Sequence, residues 1–508
     1  MNKSLLTIQF NTNPWQLGMA FEAHAFRKSQ LESEKSFFFL VAGMNNHILG
    51  DLPFHYRLRQ LSTNLYSLRR LNQELEDNCY DDKSVYGRTF MNRYLSRFQN
   101  LTYREILDCV HEDMDIDEKS ANQVVKLAII DKFKLWRIDS IDQLPIAKDY
   151  LIGYLSSYSL VNELINDYDI GFLNLFNSRF LNEGAAKNAA LANGIQVTEF
   201  EQVNSRADSF GLFDSRVHDP LERAKMARDA FNMLGRVTPN QDYTFTEKWI
   251  SMRRKGVLQK FTKNQEIGKV PIFPKEKKIL SVFLSSFDEL ILAGYISEES
   301  TFNQSNCLGI LSNLINKRDD WHLVIREHPN MLSRTKSEQD FWRVLLSEVN
   351  AQVITAKDKV DTYAIIEKSD LVLTFGSTIA VEALALGVPS ILMGDALYSG
   401  HKMVPQISHP KELELFLDDT PTIIGATQNE LEKYCYFQLY GGVRFERLSV
   451  KNESEYAFNP ALYFQGRKVI RSEKGIASLT RFYSRIQDLK KFFNAFTSNF
   501  FCNSGCSK

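Results

Sequence analysis

Cysteine is scarce: there are six in 508 residues, at 79, 109, 307, 435, 502 and 506, and no C-x-x-C pair among them. A disulfide framework or a structural zinc site is therefore not expected, and the fold must rest on buried apolar surface. Long apolar runs are missing too, with nothing approaching the roughly 18 consecutive apolar residues that a spanning helix needs. Excess charge of either sign is also absent. With 61 basic and 62 acidic residues the net charge is −1, which gives no global reason to expect a nucleic-acid partner. The first residues do not form a signal peptide, because Thr7, Gln9 and Asn11 interrupt their apolar run. A cytoplasmic location is the expectation. No solenoid repeat or low-complexity tract is visible.

What is present is ordinary globular composition, 44% hydrophobic and 24% charged, in a chain long enough for more than one core. Apolar runs with β-branched members alternate with helical patterns in two blocks, which predicts an α/β protein with two domains. The first block has strands near 4–10, 36–42, 168–176 and 195–200, with helices near 17–30 and 183–193 between them. A polar, aromatic, mainly helical insertion is expected at about 45–163; its acidic run HEDMDIDEKS (111–120) lacks the glycine of a calcium loop and reads as a solvated face. Helix 219–234 closes this block, giving an N-terminal domain over 1–255. The basic, proline-punctuated run RRKGVLQKFTKNQEIGKVPIFPKEKK (253–278) reads as interdomain linker, drawn at 256–278 between the domains, its charge kept in water. A second block over 279–465 has strands near 278–284, 321–325, 351–355, 370–375 and 390–393. The tail, 466–508, has apolar residues at helical spacing from Ile476 to Phe496, interleaved with Arg481, Arg485, Lys490 and Lys491. It is expected to pack back across the N-terminal domain, or alternatively to touch acidic lipid.

Candidate site residues sit where parallel strands end, the place at which such sheets bind ligands. In the second block Lys368–Gly394 reads as strand, turn, helix, strand. Gly376 breaks the strand, and Ser377 and Thr378 offer hydroxyls beside unpaired backbone N–H groups, a combination suited to phosphate. Glu382 follows one turn later, either as an acceptor for ribose hydroxyls or as a buried, cap-satisfied glutamate. SSFDEL (285–290) supplies Ser285 and Ser286 as further hydroxyls at a strand end. REHPN (326–330) presents the rigid fork of Arg326 and the imidazole of His328 on a turn fixed by Pro329. Tyr363 is placed to stack on a ring. In the first block Asn177, Arg179 and Glu201 stand at strand ends, with Arg179 and Glu201 either lining a site or pairing with each other. A base for an attacking hydroxyl is sought among N-terminal carboxylates, Glu201 and Glu22.

The order SSFDEL, REHPN and DTYAIIEKSDLVLTFGSTIAVEALALGVPSILMG resembles the donor-binding domain of GT-B glycosyltransferases that build bacterial capsules and other surface polysaccharides. Residues 278–400 carry that resemblance. NSRFLNEGAAKNAALANGIQVTEFE (177–201) is similar to a segment of the N-terminal domain of such enzymes, with Ser178 standing where glycine is expected. His328-Pro329 and the Ser377-Thr378 pair also resemble the donor motifs of CMP-sugar-dependent Kdo- and sialyltransferases, without the acidic motif of the latter. The resemblance implies a GT-B fold, two Rossmann-like domains facing a cleft, with a helical insertion and a bridging C-terminal helix. It implies transfer of a sugar from a nucleotide donor, CMP- or UDP-linked, to a lipid-linked or oligosaccharide acceptor at the inner face of the membrane. No cofactor, metal or nucleic acid is called for. A CDP-glycerol-type glycerophosphotransferase, a sugar-nucleotide epimerase and a non-catalytic assembly protein are the alternatives.

Overall fold

The computed structural model describes residues 4–10, 14–31, 35–42, 83–86, 94, 96–98, 100–113, 116–133, 138, 140–214, 216–217, 219–237, 244–258, 265–285, 304–419, 425–450, 462–464 and 467–470. Ser286 and nearly all of the tail from 466 lie outside them.

The first half opens with β1 (Ser4–Phe10), α1 (Pro14–Leu31), β2 (Ser36–Ala42) and β3 (Lys83–Tyr86). Three helices follow, α2 (Tyr103–Asp113), α3 (Glu118–Phe133) and α4 (Ala147–Tyr168), then β4 (Ile170–Phe176), α5 (Leu181–Ala192), β5 (Gln196–Glu201) and β6 (Ser209–Phe213). The strands order as β3-β2-β1-β4-β5-β6, parallel up to β5 and antiparallel at β6. The segment read as a helical insertion thus holds a strand that extends the sheet, as well as helices. α4 and α5 pack on the sheet through Leu151, Leu155, Ala186 and Ala190, all essentially inaccessible to water. The small alanines let α5 approach the strands closely.

α6 (Pro220–Val237) and α7 (Phe245–Arg254) lead to the second half. It contains β7 (Lys278–Phe283), α8 (Gln304–Ile315), β8 (Trp321–Arg326), a 3-10 turn at Pro329–Ser333, α9 (Lys336–Glu348), β9 (Gln352–Ile354), α10 (Thr362–Glu367), β10 (Leu371–Thr374), α11 (Ile379–Ala385), β11 (Ser390–Met393) and β12 (Gln406–Ile407). The order β12-β11-β10-β7-β8-β9 is parallel throughout and reverses direction between β7 and β10, the doubly wound pattern. Because successive strand residues face opposite sides, Leu371 and Leu373 enter one apolar core and Val372 the other. The architecture is the expected α/β one, with two parallel-dominated sheets.

The chain then returns. After α12 (Leu413–Asp418), α13 (Gly425–Tyr440) packs on both α6 and α7, and β13 (Val443–Arg444) pairs antiparallel with β6 at the edge of the first sheet. β14 (Leu448–Val450), β15 (Leu462–Phe464) and β16 (Arg467–Ile470) form a small antiparallel sheet. The crossing back to the first half is therefore made by α13 and β13. Gly400, just beyond β11, sits against Pro220 at the start of α6, where an added Cβ would lie 2.2 Å from the Pro220 carbonyl oxygen. The carboxyl side of the second sheet is thereby turned toward the first half.

Two buried carboxylates shape the first half. Glu22 on α1 is 2% exposed and accepts the backbone N–H groups of Glu446, Arg447 and Leu448 at 3.2, 2.9 and 2.6 Å. Glu22→Ala leaves three donors without an acceptor and is expected to cost about 3 kcal/mol, measured by urea unfolding; Glu22→Gln, which retains one acceptor oxygen, should cost less. Glu183, in the first turn of α5, is 3% exposed, and burial pushes its carboxyl up to about 8. The folded state then holds a proton that the unfolded chain gives up above about 4.5. Stability is expected to fall as pH rises from 5 to 8, at up to about 1.4 kcal/mol per pH unit, and Glu183→Gln should flatten that slope in unfolding measured across this range.

Candidate functional site

Parallel strands deliver their carboxyl ends to one edge, so cross-strand register decides which loop residues meet. In the second sheet Thr374 of β10, Phe283 of β7 and Arg326 of β8 form one row. Two residues further along each chain come Gly376, Ser285 and His328, which brings all three sequence motifs to adjacent strand ends at the point where the sheet reverses.

Each motif is held differently. Gly376 has φ +97°, a left-handed conformation that a side chain would strain. Ser377 Oγ accepts the Ile379 N–H at 3.3 Å, and its own O–H makes no hydrogen bond among the described residues. Thr378 Oγ1 instead donates to Glu382 Oε1 at 2.9 Å, so the paired hydroxyls are not equivalent: among the described residues the Ser377 proton is uncommitted and that of Thr378 is spent on Glu382. The Ser377 carbonyl is fixed by the hydroxyl of Tyr398, 2.7 Å away and 1% exposed. The Ser285 backbone is clamped at both its N–H and C=O by the Gln304 side chain, at 3.1 and 3.0 Å, while the buried Ser285 Oγ has no partner among the described residues. Gln304 was not a candidate from sequence, and Tyr398 stood out only as part of the strand-end loop 395–402.

Arg326 is 4% exposed and donates to the carbonyls of Thr355 and Asp358, at 2.6 and 3.2 Å. The turn that supplies these carbonyls is itself fixed by the Asp358 carboxylate, which accepts from Thr355 N and Oγ1. Arg326 Nε has no partner among the described residues. Burial lowers the Arg326 pKa, against the pull of Asp358 and Glu327, so an anion here would meet a cation short of compensating charge. His328 Nδ1 accepts the Asn330 N–H at 3.2 Å, with Pro329 opening the 3-10 turn, which assigns the proton of the neutral ring to Nε2.

Glu382 takes the second of its two readings, and Tyr363 a different role from the one expected. Glu382 is fully buried: Arg253 donates to its Oε1 at 2.6 Å and the Tyr363 hydroxyl to its Oε2 at 2.7 Å. It anchors the turn from behind. Tyr363, expected to stack on a ligand ring, is 2% exposed with Arg254 5.4 Å above its own ring. Burial, reinforced by Glu382, raises the Tyr363 pKa, which keeps it a donor. Arg253 came from the run read as a solvated linker, and correcting that reading adds a residue to the site: it lies on α7, also donates to Thr378 Oγ1 at 3.2 Å, and sits 5.1 Å over the Trp249 ring.

In the first sheet Phe176 and Phe200 pair in register, which sets Asn177 and Glu201 side by side. Asn177 Nδ2 donates to Glu201 Oε2 at 2.8 Å, and the Gln202 N–H to Oε1 at 2.9 Å. Desolvation raises the Glu201 pKa while Arg179 and Asn177 draw it down. The Arg179 N–H is turned in by Asn177 Oδ1, its guanidinium lies 4.9 Å over Phe180, and its Nε has no partner among the described residues. Ser178, found where glycine was expected, has a use for its side chain: Oγ donates to Glu199 at 2.8 Å, and Glu199 also takes the Lys187 ammonium at 2.6 Å. Glu22, the other base candidate, is taken up by the returning chain and is not part of this group. Among the described residues no cluster of His, Cys, Asp and Glu has the arrangement of a metal site, and no helix is long and apolar enough to cross a membrane.

Comparison with known proteins gives a family match and distant structural likenesses. No curated protein matches the chain. Among solved structures it is similar to the beta Kdo 2,4 transferase of Thermosulfurimonas dismutans KpsC, at 12% identity and TM-score 0.33 over 53% of this chain and 79% of that one. It is similar to the beta Kdo 2,7 transferase of the same protein, at 17% identity and TM-score 0.32 over 64% and 89%. UDP-GlcNAc 2-epimerase from Neisseria meningitidis, bound to UDP-GlcNAc, is similar at 14% identity and TM-score 0.29 over 85% and 94%. The stretch that holds Arg253, Ser285, Arg326, His328 and the Gly376–Thr378 turn, residues 236–418, matches the family described as capsule polysaccharide biosynthesis protein.

Proposed function

We propose that the protein is a metal-independent GT-B glycosyltransferase that moves a sugar from a nucleotide donor to a growing bacterial surface glycan. The observation that carries this reading is a pair of buried donors that have no partner among the described residues, Ser285 Oγ and Arg326 Nε, at adjacent strand ends beside the Gly376–Ser377 turn. A buried donor without an acceptor is costly, and an anionic ligand that supplies acceptor oxygens removes that cost. Within a stretch matching a capsule biosynthesis family, the anion that fits is the phosphate leaving group of a nucleotide sugar.

The mechanism follows from where charge develops. As the anomeric C–O bond breaks, its electron pair leaves with the phosphate; Arg326 and the hydroxyls of Ser285 and Ser377 stabilise that charge. His328 Nε2–H hydrogen-bonds the nucleotide. Asn177, Arg179 and Glu201 hold the acceptor, whose hydroxyl oxygen forms the new bond to the anomeric carbon and passes its proton to Glu201. A raised carboxyl pKa suits that task. On this reading residues 1–255 are the acceptor domain, 279–465 the donor domain and 466–508 a tail, and the enzyme works at the inner face of the membrane.

Titration of the full chain with CMP and UDP tests the donor site. Arg326→Ala and His328→Ala should each weaken nucleotide binding about tenfold or more while the thermal midpoint shows a folded chain; unchanged affinity in both removes the assignment. Ser377→Ala should weaken it more than Thr378→Ser, because only Ser377 has an uncommitted O–H. Glu201→Gln should lower kcat by a factor on the order of 100 with nucleotide affinity retained, in an assay of nucleotide release that depends on a glycan acceptor. Release without any acceptor, or interconversion of the donor sugar, would favour an epimerase.

A further inference from the structure

An anion site with a fully buried carboxylate one helical turn behind it poses an electrostatic problem. Glu382 follows Thr378 by four residues and is bonded to its hydroxyl at 2.9 Å, so it stands close beneath the turn assigned to phosphate. Two like charges at that range, partly shielded from water, repel strongly enough to lower affinity by about 10- to 100-fold.

The groups around Glu382 come from four elements. Tyr363 on α10 donates to it, and Tyr398 and Tyr434 lie within electrostatic range from the turn after β11 and from α13. Burial raises the pKa of all three phenols, so none of them supplies charge. Arg254 is next in the chain but pairs with Glu367 at 2.8 Å. The cation in contact is Arg253, 2.6 Å from Glu382 Oε1 and 3.2 Å from Thr378 Oγ1. Burial opposes its charge, but Glu382 together with Tyr363 and Tyr434 outweighs this and holds the guanidinium above its ordinary pKa.

We propose that Arg253 is the residue that makes this turn able to hold a phosphate: from the helix joining the two halves it neutralises Glu382 and fixes the Thr378 hydroxyl. The outward side of the turn then presents only hydroxyl and amide donors. Arg253 is a positioning residue, acting through Glu382 and Thr378. The assignment rests on the donor-site reading above. It also makes the site depend on the connector, because the N-terminal amides of α7 at Phe245 and Thr246 are held by Glu432 of α13.

The full chain is titrated with UDP and with CMP. Arg253→Met should bind the preferred nucleotide about 10- to 100-fold more weakly, and adding Glu382→Gln to that variant should restore affinity to within about threefold. Arg253→Lys should fall between Arg253→Met and the unmodified chain. A merely structural arginine would give no such rescue, since the second substitution removes yet another hydrogen bond. Unchanged affinity in Arg253→Met, or a folded double variant as weak as the single one, overturns the proposal. Should Arg253→Met fail to fold, Glu382→Gln alone decides: equal or tighter binding supports the proposal, and tenfold weaker binding overturns it. An unmodified chain that binds neither nucleotide removes the donor-site reading itself, a result distinct from loss of the charge balance.

Discussion

A carboxylate withdrawn completely from water must find a cation and hydrogen-bond donors or lose its charge, and Glu382 finds its cation 129 residues earlier in the chain. Arg253, Tyr363 and Thr378 converge on it from three elements, and through them the connecting helix, α10 and the turn that opens α11 become one unit. Tyr398 adds a fixed point on the neighbouring Ser377 carbonyl. The Gly376–Thr378 turn is held from behind by these bonds.

The same division runs through the rest of the site. Among the described residues three groups near the strand ends keep hydrogen-bonding capacity: Ser377 its proton, and the buried Ser285 hydroxyl and Arg326 Nε. Residues behind spend theirs on the chain: Gln304 on Ser285, Asp358 on the turn that grips Arg326, Glu199 on Ser178. In the first half the returning chain is tied down by Glu22, and the edge of the first sheet is completed by β13. Each sheet is thus a platform whose carboxyl end is finished by contacts from distant sequence.

Strands and helices were legible because their signals are local. Short runs buried on both faces at 279–284 and 371–375, a glycine with positive φ at 376 and the alanine face of α5 are written in consecutive residues. The register that sets Gly376, Ser285 and His328 together was legible in outline, since strand ends of a parallel sheet meet at one edge. The two faces of the Ser-Thr pair were not. Whether a hydroxyl points at a ligand or at a buried glutamate depends on what stands behind the helix, and Arg253 lies outside any pattern that links it to residue 382. For the same reason Glu22 read as a candidate base: the three amides that occupy it come from residues 446–448. Glu199 was within reach of sequence reasoning, two residues before Glu201 and so on the same side of β5, but only Lys187 and Ser178 reveal its use.

By itself the sequence determined the α/β class, the two sheets and the places where their strands end, because each follows from neighbours in the chain and from spacing. The tertiary structure alone decided which polar groups are committed to the fold and which are not. Burial and charge pairing act through space, and a glutamate is an anchor or a ligand contact according to whether an arginine from elsewhere in the fold reaches it first.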